Sequence, residues 1–139
     1  MERNLSELYQ AVIRQHDRSP CHYEVLPTVT HQAEAYNPLC GDQFQLFLNI
    51  EAGVIVAASF QGYGCAISKA STSVLMKNLQ GLPMAEVSAL LQHFQELVSG
   101  TTDSADEALQ AFAAARQFPE RLSCATLSWD ALAQLLERL

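Results

Sequence analysis

The stretch Phe44-Gln45-Leu46-Phe47-Leu48-Asn49-Ile50-Glu51-Ala52-Gly53-Val54-Ile55-Val56-Ala57-Ala58-Ser59-Phe60 decides the fold. Phe44, Leu46, Leu48 and Ile50 alternate with Gln45, Phe47 and Asn49, the two-residue period of a strand that buries one face. Ala52-Gly53 turns the chain into a second strand, Val54–Phe60. The pair reads as a hairpin with one buried face.

Upstream, Thr28–Ala35 has a weaker strand pattern. Before it, Asn4 with Glu7 three residues on makes a cap-like signal, and Leu5, Leu8, Tyr9, Val12 and Ile13 form the apolar stripe of a helix ending before Ser19-Pro20. Downstream of Gly62-Tyr63-Gly64-Cys65 the pattern turns helical, from about Ala66 to a stop at Gly81. Pro83 opens another helix that ends near Gly100, and Asp103 or Ser104 can cap a short piece, Ala105–Arg116. After Pro119 a last helix carries Trp129, Leu132, Leu136 and Leu139 at helical spacing. The expected architecture is α+β: a small, mostly antiparallel, three-stranded sheet with helices packed on one face.

The 139 residues suit one domain, 1–139, able to bury a core without disulfides. A formal net charge of −7 lacks the basic footprint that nucleic acids or anionic membranes require, so neither is expected as a partner. No apolar run approaches the ~20 residues of a membrane span, and the charged start MERNLSELYQ is unlike a secretory signal. A cytoplasmic location follows as the expectation, and there four cysteines read as ligands or reactive thiols rather than disulfide partners.

Three of them fall at the ends of elements. Cys40 precedes the first hairpin strand, Cys65 follows the second and starts a helix, and Cys124 lies near another helix start. A hairpin places the residue before its first strand and the residue after its second at the same end, so Cys40 and Cys65 should be neighbours. Helix starts favour thiolate over thiol. Gly41 lets the chain turn so that Cys40 and Asp42 can face one centre. Three thiolates and a carboxylate suit four-coordinate Zn²⁺, and iron is the alternative. Spacing alone leaves a second reading open, in which the cysteines are small buried hydrophobes and Asp42 an ordinary turn residue.

The segments Asn37–Asp42 (NPLCGD), Gly62–Ala70 (GYGCAISKA) and Phe118–Trp129 (FPERLSCATLSW) resemble the IscU/SufU family, also found as the N-terminal domain of NifU. The similarity runs from about Leu5 to the C-terminus and is of the SufU type. That branch has a long insertion between the second and third cysteines and lacks the histidine that IscU-type scaffolds carry just before the third, where this chain has Ser123.

The resemblance implies the SufE/NifU-like sandwich fold and iron–sulfur cluster assembly. It implies Cys40, Asp42, Cys65 and Cys124 as zinc ligands and Cys40 as acceptor of persulfide sulfur from a SufS-type cysteine desulfurase. Downstream partners would be an iron–sulfur scaffold or apo-proteins. Arg121 matches an arginine of the SufU branch and is carried over as a catalytic candidate. The alternative implied is an IscU-like scaffold, with a transient [2Fe–2S] cluster held by Cys40, Cys65 and Cys124. One departure is that Ser123 stands where SufU relatives often carry lysine. Cys21 matches no family motif and reads as an incidental thiol, its neighbour His22 a weak nucleophile partner; His16, His31 and His93 read as surface residues, and Tyr63 and Trp129 as packing residues near the site.

Overall fold

A computed structural model describes residues 4–39 and 41–139. The expected hairpin is present as β2 (Asp42–Glu51) and β3 (Val54–Tyr63), each longer than the alternation alone indicated. At its tip Ala52 and Gly53 both take positive φ, 51° and 76°, the left-handed pair that matches the twist of two antiparallel strands. Leu46 faces Phe60 and Leu48 faces Ala58, with one register shift at Asn49/Ile50.

The third strand, β1 (His31–Asn37), pairs antiparallel with the other side of β2, giving the order β1-β2-β3. Its bounds differ from the expected Thr28–Ala35. The chain joins the sheet only at His31, opposite Leu48, and pairing carries it on through Tyr36 to Asn37, opposite Asp42. Sheet pairing, a tertiary effect, overrides a weak local pattern.

Ala33, Ala35, Phe44, Leu46, Leu48, Ala58 and Phe60 form the buried face of the sheet. Against it lie α2 (Ala66–Leu79) and α5 (Leu122–Glu137), and α1 (Leu5–Arg18) packs on α2. Asn4 caps α1 by accepting the Glu7 amide at 2.8 Å, as the sequence pattern indicated. Helix α2 runs through the centre, with Ala70, Val74, Leu75, Met76 and Leu79 buried. Its buried polar residues have partners. Ser71 Oγ donates to the Ala125 carbonyl and accepts from Trp129 Nε1, and Thr72 Oγ1 meets Ser128 Oγ at 2.6 Å. These bonds tie α2 to α5 and set their rotation.

A 3-10 turn, Met84–Glu86, leads into α3 (Val87–Ser99), which stops at Gly100. The expected helix Ala105–Arg116 divides. Asp106, rather than Asp103 or Ser104, caps α4 (Glu107–Ala111), and Phe112–Gln117 winds as a 3-10 helix whose Phe112 and three alanines are all buried. Small side chains permit this tight winding under α3 and α1. Trp129 is buried and stacks on Phe94 at 3.7 Å between ring centroids, the packing role expected of it. Tyr63 differs: it is 65% exposed and its hydroxyl donates to Gln43 Oε1. Among the described residues no helix is long and apolar enough to cross a membrane.

Candidate metal centre

At one end of the hairpin, the first residue of β2 and the start of α2 meet. Asp42 is fully buried, and its Oδ1 accepts the Cys65 backbone amide at 2.9 Å. Gly64 makes this approach possible. A Cβ there would lie 2.7 Å from Asp42 Oδ1 and from Ser68 Oγ, and 2.9 Å from Phe44 Cε2. The motif Gly62-Tyr63-Gly64-Cys65 thus delivers the chain from β3 into α2 with the aspartate pressed against its backbone.

Cys65 is the N-cap of α2, its sulfur accepting the Ser68 amide at 3.4 Å. The sulfur thus sits at the positive end of the helix dipole. Cys124 lies in the first turn of α5 and is buried. The α2–α5 hydrogen bonds place that turn beside Cys65.

The result is a cluster in which a carboxylate oxygen of Asp42 and the sulfurs of Cys65 and Cys124 all lie within 4.8 Å of one another. Tetrahedral zinc, with Zn–S of about 2.3 Å and Zn–O of about 2.1 Å, spaces its ligand atoms roughly 3.6–3.8 Å apart. The cluster is therefore within about 1 Å of that spacing. Asp42 Oδ2 is buried with no hydrogen-bond partner among the described residues. A buried carboxylate oxygen without a donor is costly unless a cation satisfies it, so the donor set and its orphaned oxygen fit a divalent metal. Cys40 lies outside the described residues, between Leu39 and Gly41 in the chain.

Tyr9 also belongs to this neighbourhood, though the sequence showed it only as part of a helical stripe. Its hydroxyl is buried and without a hydrogen-bond partner among the described residues. Burial, then the neighbouring Cys124 and Cys65 sulfurs, push its phenol up to about 12, while Arg121 pulls the other way. The phenol stays protonated. Arg121 is exposed, in the short 3-10 turn Pro119–Arg121 before α5, and Ser123 is exposed as well.

Exposed Leu39, Tyr36 and Tyr63, at 95%, 57% and 65%, stand at this same end of the sheet. Beside them a groove of about 320 Å³ runs between β1 and α5, lined by Tyr36, Asn37, Pro38, Ser123 and Asp130 among others. The centre is thus walled by helices on its inner side and rimmed by large side chains facing solvent.

His16, expected at the surface, is 4% exposed and pairs through Nδ1 with Ser73 Oγ at 2.7 Å. A histidine on an otherwise polar helix flank looks solvated in sequence, and only the position of Ser73 on α2 shows its burial. The Cys21 sulfur lies 4.0 Å from Nδ1 of this histidine.

A profile of the NifU-like N terminal domain matches residues 8–136. The iron–sulfur cluster assembly scaffold protein IscU of Streptococcus pyogenes serotype M1 is 34% identical over 96% of this chain and 86% of its own length. The zinc-dependent sulfurtransferase SufU of Bacillus subtilis (strain 168) is 35% identical over 93% of this chain and 89% of its own. Among solved structures, a putative iron–sulfur cluster assembly scaffold protein for the SUF system from Fervidobacterium islandicum AW-1 shares the fold. Its TM-score is 0.84 at 24% identity, covering 93% of this chain and 96% of that one.

Proposed function

The chain belongs to the NifU-like N-terminal domain family, and we propose that it is a zinc-dependent sulfur acceptor of iron–sulfur cluster assembly. The observation that carries the proposal is the cluster of buried Asp42, partly exposed Cys65 and buried Cys124, with a carboxylate oxygen that has no partner among the described residues. Cys40, Asp42, Cys65 and Cys124 would hold the zinc, and the zinc would keep the thiols deprotonated at neutral pH.

In this reading Cys40 is the acceptor. Its thiolate attacks the outer sulfur of a persulfide carried by a cysteine desulfurase. The S–S bond of the donor breaks, the donor cysteine leaves as thiolate, and Cys40 keeps the sulfur as a new persulfide. Cys65 and Cys124 are seated in the first turns of α2 and α5 and act as anchors. The Asp42 carboxylate holds the Cys65 backbone through Oδ1 and keeps Oδ2 for the metal. The rim of Leu39, Tyr36 and Tyr63 supplies the apolar area on which the sulfur donor would dock. Exposed Arg121, at the start of α5, would assist by attracting the anionic persulfide. A cytoplasmic setting, in which these thiols stay reduced, belongs to the same reading.

A second reading, a scaffold on which a [2Fe–2S] cluster is built, draws on the 34% identity to the protein named as an IscU scaffold. Ser123 favours the transferase, because its hydroxyl is a poor iron ligand where a scaffold uses histidine. Anaerobic incubation with iron and sulfide separates the two. The transferase reading expects at most a labile cluster and strong stimulation of desulfurase turnover by the zinc form. A stable visible-absorbing cluster that passes to an apo-protein would reverse the order.

A further inference from the structure

Away from the metal centre, the loop that follows α1 holds a second cysteine in a defined setting. The Cys21 amide donates to Ser73 Oγ at 2.7 Å, and the Cys21 sulfur lies 4.0 Å from Nδ1 of His16. Ser73 Oγ is also 2.7 Å from that same nitrogen. Both partners are buried, His16 at 4% exposure and Ser73 at 0%, whereas Cys21 is partly exposed. The loop is pinned further on: the His22 carbonyl accepts the Phe60 amide, and the Tyr23 hydroxyl donates to the Gly62 carbonyl. A thiol open to solvent is thus backed by a buried imidazole whose ring is oriented by a hydroxyl. Ser73 lies two turns along α2 from Cys65, roughly 12 Å at 1.5 Å per residue. The two sulfur sites are therefore chemically separate.

We propose that Cys21, His16 and Ser73 form a modification site at which Cys21 exchanges with low-molecular-weight disulfides of the glutathione class. The step balances without an added oxidant. Cys21 passes its proton to His16 Nδ1, and its thiolate attacks one sulfur of the disulfide. The S–S bond of the small molecule breaks and its other half leaves as thiolate, which takes the proton from His16. The product is a mixed disulfide on Cys21 and one reduced small thiol. Once protonated, Nδ1 donates to Ser73 Oγ, whose other lone pair goes on accepting the Cys21 amide while its own proton turns away from the ring.

The surroundings decide the state of the base. Burial first, then the Lys77 cation on α2, hold His16 below its ordinary value, while Asp106 at the start of α4 raises it. Glu107 lines the same cavity, and on the other flank Asp17 is paired with Lys69 at 4.0 Å. The imidazole is therefore neutral at pH 7 and able to accept a proton. A base in contact with the thiol leaves room for roughly a tenfold gain in rate at that pH.

The experiment loads the full chain with zinc, adds oxidised glutathione and follows intact mass and peptide maps between pH 6 and 10. The expected result is one adduct, on Cys21, formed roughly tenfold faster at pH 7 than in His16→Gln. The two rates should converge towards the alkaline end of the series, where hydroxide takes over the role of the base. Cys21→Ser should take up none while keeping its zinc. Adducts first on Cys40, Cys65 or Cys124 would overturn the proposal. So would a wild-type rate that rises with pH only as an ordinary thiol of pKa about 8.5 does, a result that needs no variant to fold. Failure of this test leaves the metal reading untouched, since zinc content is measured in the same samples.

Discussion

Cysteines of one chain differ in what holds them. Cys65 and Cys124 are placed by helix starts, and Asp42 by its bond to the Cys65 amide. Replacing either helix cysteine by serine should lower zinc affinity by a hundredfold or so, read by competition with a chromophoric chelator. Cys40→Ser should keep much of its zinc, because three ligands and water remain, yet lose desulfurase stimulation almost completely. Alanine release with a cognate desulfurase, and mass mapping of the added sulfur, check this; sulfur found on Cys65 or Cys124 would refute the division of roles. At His16 the sign of the pH effect follows from burial. Its folded-state value lies below the ordinary 6.5, so the unfolded chain binds the extra proton more readily. The contribution is intact above the unfolded value and is lost as pH falls through the folded one. Urea-unfolding stability should therefore drop more steeply from about pH 6.5 to about pH 5 in the wild type than in His16→Gln. Parallel curves, both measured at saturating zinc, would argue that burial of the ring carries no such penalty.

Between elements, the tightest junction is the passage from β3 to α2. Gly64 has Asp42 Oδ1 and Ser68 Oγ each 2.7 Å from where a Cβ would stand. Gly64→Ala should cost about 1–3 kcal/mol in urea unfolding and should weaken zinc binding as well, because Asp42 must retreat. Normal stability with normal zinc would mean that the aspartate is not held where it is by this contact. The α2–α5 junction differs in kind, resting on Ser71, Thr72, Ser128 and the Trp129 indole rather than on large aliphatics. Trp129→Ala should cost about 3–5 kcal/mol, since it removes the Phe94 stack and leaves Ser71 without its donor. Thermal unfolding of the variant is the measurement. Neither junction is legible in the sequence: Gly64 precedes Cys65 there, but only the structure shows Asp42 Oδ1 and Ser68 Oγ against it and Ser71 bonded to α5.

Over the whole molecule, the proposed zinc joins the start of β2, the start of α2 and the start of α5, elements far apart in sequence. Chelation should therefore lower Tm by roughly 10 °C at a ligand excess of a hundredfold over Kd. An unchanged Tm would mean that the folded chain gains nothing from the ion. Local patterns carried the hairpin, because strict alternation and a left-handed turn pair are properties of neighbouring residues. They carried α1 for the same reason, through a cap and a 3.6-residue stripe, and α2 through a helical pattern with a stop at Gly81. The three motifs around Cys40, Cys65 and Cys124 were legible as a family resemblance, and the profile match over residues 8–136 agrees with it. Other features were settled only when distant segments met. The bounds of β1 depend on its pairing with β2, the buried state of His16 on Ser73, and the partner of Cys21 on where the loop after α1 is pinned. Periodicity records which side of an element is apolar. It does not record which residue of another element will stand opposite, and burial and hydrogen bonding depend on that residue.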